Sequence, residues 1–418
     1  MNNNKPSEVI VIGGGASGMM AAISAARNGA KVTILEHSDR IGKKILSTGN
    51  GKCNFTNSNQ DPDNYHGENP GFVVEILKQA DYFFTLKLFA QLGIHAKNKN
   101  GYVYPNSLQA SSVLDVLRFE LARLNVNIFC NVHISKIVKN VSGFHIYAFN
   151  NEFECDNLII CTGSKAAPVT GSDGSGYKYA IDFGHKIIKV LPGLVQLKSK
   201  AGYFKSIAGV RVDAELKLVV DNTVLLTEKG ELQITNYGLS GIPIFQLSRF
   251  AAKALDAKKK VNIIINFLPE FKIDSLIKFL KQRLSNSGNK TLEESLIGLL
   301  NKKLIVVLVK EAGLSLNTRA NTLNDSQIKR LANEINAFVI NIFATNSFEN
   351  AQVCCGGIST DEINNTTLES KLIKGLYFAG EIIDIDGNCG GYNLQWAWSS
   401  GYVAGKNAAI KQPVFNLN

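Results

Sequence analysis

Two glycine-rich segments lie near opposite ends of this 418-residue chain, and their spacing is the chemistry most legible in it. The first reads Gly13-Gly14-Gly15-Ala16-Ser17-Gly18, directly after the apolar run Val9–Ile12. Gly13, Gly15 and Gly18 match G-x-G-x-x-G. In that motif the first glycine permits a tight turn, the second lets the backbone approach a pyrophosphate, and the third lets helix and strand pack closely. The helix opening at Ala16 and Ser17 offers free N–H groups and a partial positive charge to phosphate. Glu36 stands 23 positions after Gly13, at the end of the next predicted strand. Its carboxylate can accept hydrogen bonds from ribose hydroxyls and would repel a 2′-phosphate. The set suits an ADP-ribose with a free 2′-hydroxyl, as in FAD or NAD.

The second segment runs from Gly380-Glu381 to Gly387-Asn388-Cys389-Gly390-Gly391, after the apolar stretch Leu376–Ala379. An NAD dehydrogenase would not need it. Followed by a helix rich in alanine and serine, it can present further N–H groups to a ribityl phosphate or a flavin. Two grips at opposite ends of the chain therefore favour FAD. Read structurally, the same residues are a terminal helix packed through small side chains. Between the grips lies a polar loop, Gly42-Lys43-Lys44 through Ser47-Thr48-Gly49-Asn50-Gly51-Lys52-Cys53-Asn54. Thr48, Asn50 and Asn54 supply short polar groups, Gly49 and Gly51 allow close approach, and Lys43, Lys44 or Lys52 could counter a pyrophosphate. The alternative is a solvated loop.

Residues 8–36 read as a βαβ unit whose fully apolar first strand suits a buried parallel sheet. Its helix is built from small residues and stops at Gly29. Amphipathic helices are predicted near 72–92 and 109–124, ending at Gly93 and Asn125. Strands are predicted at 127–132, 135–138, 144–149 and 158–161, the last running into Thr162-Gly163. Gly171-Ser172-Asp173-Gly174 precedes a further helix. From Pro192 the texture changes. Alternation over 207–234 predicts an antiparallel sheet, and residues 271–335 have helical periodicity. The expected fold is α/β: a Rossmann-like, two-dinucleotide-binding type of FAD domain over 1–191 and 336–418. A substrate region splits it, β-rich over about 192–268 and helical over about 269–335.

The net charge of +10 admits an acidic partner, but Lys258-Lys259-Lys260 is the only run of three, which argues against a nucleic-acid patch. The start of the chain is polar and carries no apolar leader, and no apolar run is long enough to span a bilayer. A cytoplasmic location and no membrane partner are the expectation. The seven cysteines include no Cys-x-x-Cys and no metal-ligand array, so no metal is expected. The adjacent pair Cys354-Cys355 raises the rare option of a vicinal disulfide.

The run Gly42-Lys43-Lys44-Ile45-Leu46-Ser47-Thr48-Gly49-Asn50-Gly51-Lys52-Cys53-Asn54 resembles the signature of the BaiN-like (YhiN-like) bacterial flavoproteins, often labelled an aminoacetone-oxidase-type FAD-binding family. So do Gly380–Gly387 and Gly390-Gly391-Tyr392-Asn393-Leu394-Gln395. The resemblance spans nearly the whole chain. Lys52 departs from it, standing where arginine is more usual. It implies FAD, a Rossmann-like cofactor domain and an inserted substrate region. It also implies that Gly13, Gly15, Gly18, Glu36, Lys44, Thr48, Asn50, Gly51, Val132, Gly163, Gly380, Glu381, Gly391, Asn393 and Leu394 neighbour the cofactor. Activities within the group include aminoacetone oxidation and reduction of steroid or bile-acid enones.

The expected function is an FAD-dependent oxidoreductase, NAD(P)H-linked, moving hydride through flavin N5 to an enone-type acceptor or from an amine-type donor. No second strand–G-x-G-x-x-G–helix unit is present, so NAD(P)H would dock on the flavin face without a domain of its own. Tyr237 and Tyr392 are the candidate proton donors, weighed against tyrosines that merely pack. Two other classes stay open: a flavin-dependent RNA-modifying enzyme and an FAD-binding protein without efficient turnover. The oligomeric state is not legible.

Overall fold

The structure is a computed structural model, and it describes residues 6–410. The chain divides into two compact units. One comprises 1–191 with 352–418, and the other 192–351.

The first unit is organised by a five-stranded parallel sheet in the order Leu376–Phe378, Asn157–Ile160, Glu8–Ile12, Lys31–Leu35, Asn127–Phe129. Val9–Ile12 is central and buried, which is why it reads as an unbroken apolar run. The chain leaves this strand toward Lys31–Leu35 on one side, while Asn157–Ile160 pairs on the other. Strand order thus reverses beside Glu8–Ile12. In open parallel sheets, ligands bind outside the carboxyl ends of the strands at such a reversal. The turn Gly13–Gly18 lies there.

Helix Ala16–Arg27 follows the turn, and helix Tyr392–Ala408 packs against it at very close range. A methyl group built at Gly401 would lie 2.4 Å from Ser17 O, and one at Gly405 would lie 2.1 Å from Ala21 O. Glycine is required at both places because backbone meets backbone. The terminal helix is also anchored by Trp396 and Trp398, 1% and 0% exposed. Their indole N–H groups donate to Gly380 O at 3.0 Å and Phe55 O at 2.9 Å.

The predicted helix at 72–92 is two helices, Phe72–Leu77 and Tyr82–Gln91. Asp81 starts the second by accepting the Phe84 N–H at 2.8 Å, a side-chain cap that favours a fresh helix over a continued one. Cys354 and Cys355 are separate buried thiols, not a disulfide.

The second unit holds a seven-stranded sheet in the order Phe338–Ile342, Val261–Asn266, Arg211–Val220, Thr223–Ile234, Gly238–Ser240, Leu197–Lys198, Ala344–Thr345. Its two outermost strands are consecutive in the chain, separated only by Phe343, so the sheet curls until its edges meet. Helices Ile242–Asp256, Ile273–Ser285, Lys302–Glu311 and Asp325–Asn336 complete the unit. Leu276, Leu280, Ile305, Leu308, Ile328 and Leu331 share its core.

This corrects the expectation that the cofactor part resumes at 336. Phe338–Ile342 pairs antiparallel with Val261–Ile265, and the chain returns to the first unit only at Gln352.

Candidate functional site

The glycine turn is an uncapped helix N-terminus. The first-turn N–H groups of a helix have no intrahelical acceptor, and Gly15 at the cap brings no side chain to satisfy them. A methyl group built on Gly15 meets nothing within 4 Å. One on Gly13 would lie 2.6 Å from Cys161 O, and one on Gly18 would lie 1.9 Å from Gly13 O. The three glycines therefore do different work. Gly13 and Gly18 close the turn against the sheet, and Gly15 leaves open the space in front of the amides. Open space beside unsatisfied donors is what a pyrophosphate requires, so these residues fit the cofactor.

Glu36 is 7% exposed. One carboxylate oxygen accepts the Gly14 N–H at 2.7 Å and the other accepts the Ser38 N–H at 2.8 Å. These bonds hold the carboxylate beside the turn and leave each oxygen a second lone pair. Val132 is adjacent, its N–H donating to Glu36 O at 2.9 Å. The Gly171–Gly174 turn, which the sequence places only ahead of a further helix, closes on the same place. A methyl group at Gly171 would meet Ser38 Oγ at 2.9 Å and Glu36 Oε1 at 3.8 Å. Gly163 is fitted beneath it, and its methyl would meet Ser172 Oγ at 2.8 Å. Ser38 and Gly171 thus join the candidate set. Nothing in their spacing from Glu36 could have revealed it.

The terminal segment reaches the turn directly. A methyl group on Gly380 would lie 2.3 Å from Ser17 Oγ. Gly380 is set by the terminal helix, its N–H donating to Ser400 Oγ at 2.9 Å. Glu381 and Lys44 pair with each other at 2.8 Å, and the other Glu381 oxygen accepts the Cys354 N–H at 2.9 Å. The resemblance implies that both neighbour the cofactor, and Lys44 is one of the three lysines, with Lys43 and Lys52, that the sequence offers as a counter-charge for the pyrophosphate. The structure matches that charge within the protein. Lys43 is likewise paired, with Asp39.

The loop after Lys44 is anchored where it begins, the Gly42 N–H donating to Gly14 O at 2.9 Å. It then makes a run of left-handed residues, with φ of 55° at Gly49, 53° at Asn50, 79° at Gly51 and 55° at Cys53. The Thr48 hydroxyl turns inward to Ile45 O at 2.6 Å, while Asn50 and Gly51 are exposed. Across from this loop, a methyl group on Gly391 would lie 2.5 Å from Thr56 O. Gly391 caps the terminal helix at φ 98° and offers no side chain, leaving a second open N-terminus at Tyr392, Asn393 and Leu394. The Asn393 side chain is engaged with Gly387, accepting its N–H at 2.8 Å and donating to its carbonyl at 2.7 Å. Leu394 is half-buried against the core. All the cofactor candidates lie in the first unit.

The two candidate proton donors do not stand with them equally. Tyr392 is 5% exposed, its ring edge-on to Tyr65 at 5.8 Å. Burial pushes its phenol up to about 12, which makes it a poor acid. Tyr237 belongs to the second unit. It is half-buried, with its hydroxyl accepting from Asn346 Nδ2 at 3.2 Å. Among the described residues no helix is long and apolar enough to cross a membrane.

The chain is 46% identical over 401 residues to a 3-dehydro-bile acid delta(4,6)-reductase of Clostridium scindens, covering 96% of this chain and 98% of that one. It is 29% identical over 404 residues to a ribosomal RNA dihydrouridine synthase of Haemophilus influenzae, covering 95% and 97%. The corresponding Escherichia coli K12 protein, of the same name, is 29% identical over 405 residues, covering 96% and 97%. A family model described as HI0933-like protein Rossmann domain matches residues 7–407. With nearly its whole length inside that match, the chain belongs to the HI0933-like family of Rossmann-type, FAD-dependent oxidoreductases.

Proposed function

We propose that this protein is an NAD(P)H-linked flavin reductase that adds hydrogen across a carbon–carbon double bond conjugated to a carbonyl in a small organic acceptor. The observation that carries this reading is the 46% identity, end to end, with a protein named as a bile-acid delta(4,6)-reductase. FAD, when bound, supplies the redox chemistry by taking hydride from a reduced nicotinamide and giving it to an electron-poor acceptor.

The chain's own residues divide the binding work. The amides of Gly15, Ala16, Ser17 and Gly18 hold the pyrophosphate, and Glu36 accepts from the ribose, with Val132, Gly163 and Gly171 beside it. Thr48, Asn50 and Gly51 face the flavin end together with Gly380 and the open helix start at Gly391, Asn393 and Leu394. Lys44 and Glu381 position these loops through each other. An enone acceptor is preferred to an amine donor because the relative at 46% identity is named as a reductase. Cytoplasmic residence is part of the same reading.

One observation favours a second substrate class. Residues 192–351 contain 22 Lys and Arg against 14 Asp and Glu, so this unit carries +8 of the chain's +10. A charge that looks scattered along the sequence is concentrated in one unit, and two relatives at 29% identity are named for a reaction on ribosomal RNA. An RNA uridine is also an electron-poor conjugated carbonyl, and a basic unit suits its phosphates.

The test is the visible spectrum of the purified protein without oxygen, on adding NADH, then NADPH, then acceptor. Bleaching by a nicotinamide, followed by return of the flavin band with a steroid enone, is expected. A flavin that neither nicotinamide reduces would sink the NAD(P)H link. Return only with ribosomal RNA, weakened by salt, would move the substrate to the second class. A reduced flavin that no acceptor reoxidises would leave a binding protein without turnover.

A further inference from the structure

Tyr102 and Tyr104 lie on the strand Tyr102–Pro105, the middle strand of a three-stranded antiparallel sheet between Thr56–Asn57 and Ala96–Lys99. Neighbouring side chains on a strand face opposite ways. Val103 and Pro105 are buried, while Tyr102 and Tyr104 share the other face and are half-buried.

That face bridges the two glycine loops of the candidate site. A methyl group on Gly390 would meet Tyr102 Cε1 at 2.8 Å, and one on Gly49 would meet Tyr104 Cε1 at 3.6 Å. The arrangement is pinned from behind. Asn57 Nδ2 donates to Gly390 O at 2.8 Å, and the Val103 N–H donates to Asn54 Oδ1 at 3.1 Å. On the edge strand, Lys97 stands opposite Tyr104 and Lys99 opposite Tyr102, both exposed. Tyr65 and Tyr392 are the other tyrosines of this neighbourhood, and both are sealed in the core. Two half-buried aromatic rings on one face of this strand, against the loops assigned to the flavin end and flanked by Lys97 and Lys99, bring aromatic area to that end of the site.

We propose that Tyr102 and Tyr104 form the shelf on which the acceptor lies, and that they select polycyclic, planar enones over single-ring ones. This rests on the FAD and enone reading above. Tyrosine suits such a shelf because its ring offers a large, rigid area with little entropy to lose. One ring of an acceptor can cover one tyrosine; only a fused, extended acceptor covers both.

The test is equilibrium titration of the oxidised, FAD-loaded protein with 4-androstene-3,17-dione, read by perturbation of the flavin spectrum. Turnover of cyclohex-2-enone and FAD content are measured beside it. Tyr102→Leu with Tyr104→Leu is expected to weaken steroid binding about tenfold. FAD content should be retained, and KM for cyclohex-2-enone should rise by a clearly smaller factor than the steroid dissociation constant, since a single ring covers one tyrosine and a fused one covers both. Tyr102→Phe with Tyr104→Phe should bind the steroid as the wild type does, because the ring face is kept. Unchanged steroid binding in the leucine variant, or no steroid binding by the wild type, would overturn the shelf. So would a loss of nicotinamide affinity in place of steroid affinity, or loss of FAD from both variants alike. Because binding is read without turnover, a protein that binds the steroid through these rings yet reduces no enone would refute the proposed activity and leave the shelf standing.

Discussion

Lys44 Nζ lies 2.8 Å from Glu381 Oε2, an ion pair between positions 337 residues apart. The two side chains are 26% and 17% exposed, so the pair is neither fully solvated nor fully sealed. It ties the loop that opens at Gly42 to the segment that opens at Gly380. Gly42 is bonded to Gly14 and Gly380 is pressed on Ser17. Both loops are thereby referred to the same glycine turn.

If the pair positions the loops, Lys44→Met should cost about 1 kcal/mol of stability in the cofactor-free protein, a figure already reduced for partial exposure. Lys44→Met with Glu381→Gln should cost less than the sum of the single changes, since each single change leaves an unmatched partner. Urea unfolding of the four proteins reads the coupling. Strict additivity, with FAD affinity alone affected by Lys44→Met, would instead make Lys44 a direct phosphate contact.

Gly15→Ala and Gly18→Ala should separate binding from folding. The added methyl at Gly15 enters open space at an ordinary φ of −78°. The cofactor-free protein should keep its melting temperature while FAD affinity falls about tenfold or more, about 1.4 kcal/mol. At Gly18 the methyl would lie 1.9 Å from Gly13 O, so the fold itself should lose about 3 kcal/mol or more. Paired thermal melts and FAD titrations distinguish the two. Equal effects at both positions would contradict the division of labour among the three glycines.

His185 gives a pH dependence with a definite sign. It is 3% exposed, with Nε2 at 2.8 Å from Ser370 Oγ and Nδ1 at 3.3 Å from Glu362. Ser370 Oγ already accepts the N–H groups of Leu372 and Ile373, at 3.0 and 2.9 Å. Its proton must therefore point at Nε2, and a protonated ring would set a second donor against it. Burial lowers the imidazole pKa below the ordinary 6.5, against the opposing pull of Glu362. The unfolded chain then takes up the proton at higher pH than the folded one. Stability from this site is full above about pH 6.5 and is lost as pH falls below it. Melting temperatures between pH 7.5 and 5.5 should decline, and His185→Gln should flatten that part of the profile.

Tyr392→Phe should leave turnover within about twofold and leave the pH profile unmoved, because its buried phenol, pushed up to about 12, keeps its proton across the working range and is a weaker donor than an ordinary tyrosine. A large fall in turnover with FAD retained would return Tyr392 to the list of proton donors.

Much of the site was legible because its parts are local. Val9–Ile12, the turn Gly13–Gly18 and the small-residue helix after it are contiguous, and each residue type follows from what its own neighbours require. Glu36 was legible for the same reason, one strand further on. The edges of elements were harder. Residues 338–345 have the alternation of any half-buried strand, and only pairing with Val261–Ile265 and Leu197–Lys198 assigns them to the second unit. The break at Asp81 was missed because apolar periodicity runs on through it, while the cap that ends it is a single side chain.

What the sequence determined by itself is the grip at Gly13–Gly18, since a strand, a tight turn and a helix start are built from neighbouring residues and their backbone conformations. The tertiary structure alone decided what that grip is joined to. It brought Gly380 onto Ser17, turned Lys44 to Glu381 rather than to a phosphate, buried Tyr392 and left Tyr102 and Tyr104 half-buried. Those outcomes depend on which segments, hundreds of positions apart, end on the same side of one parallel sheet. Charge, burial and accessibility are properties of that meeting and not of any residue's type.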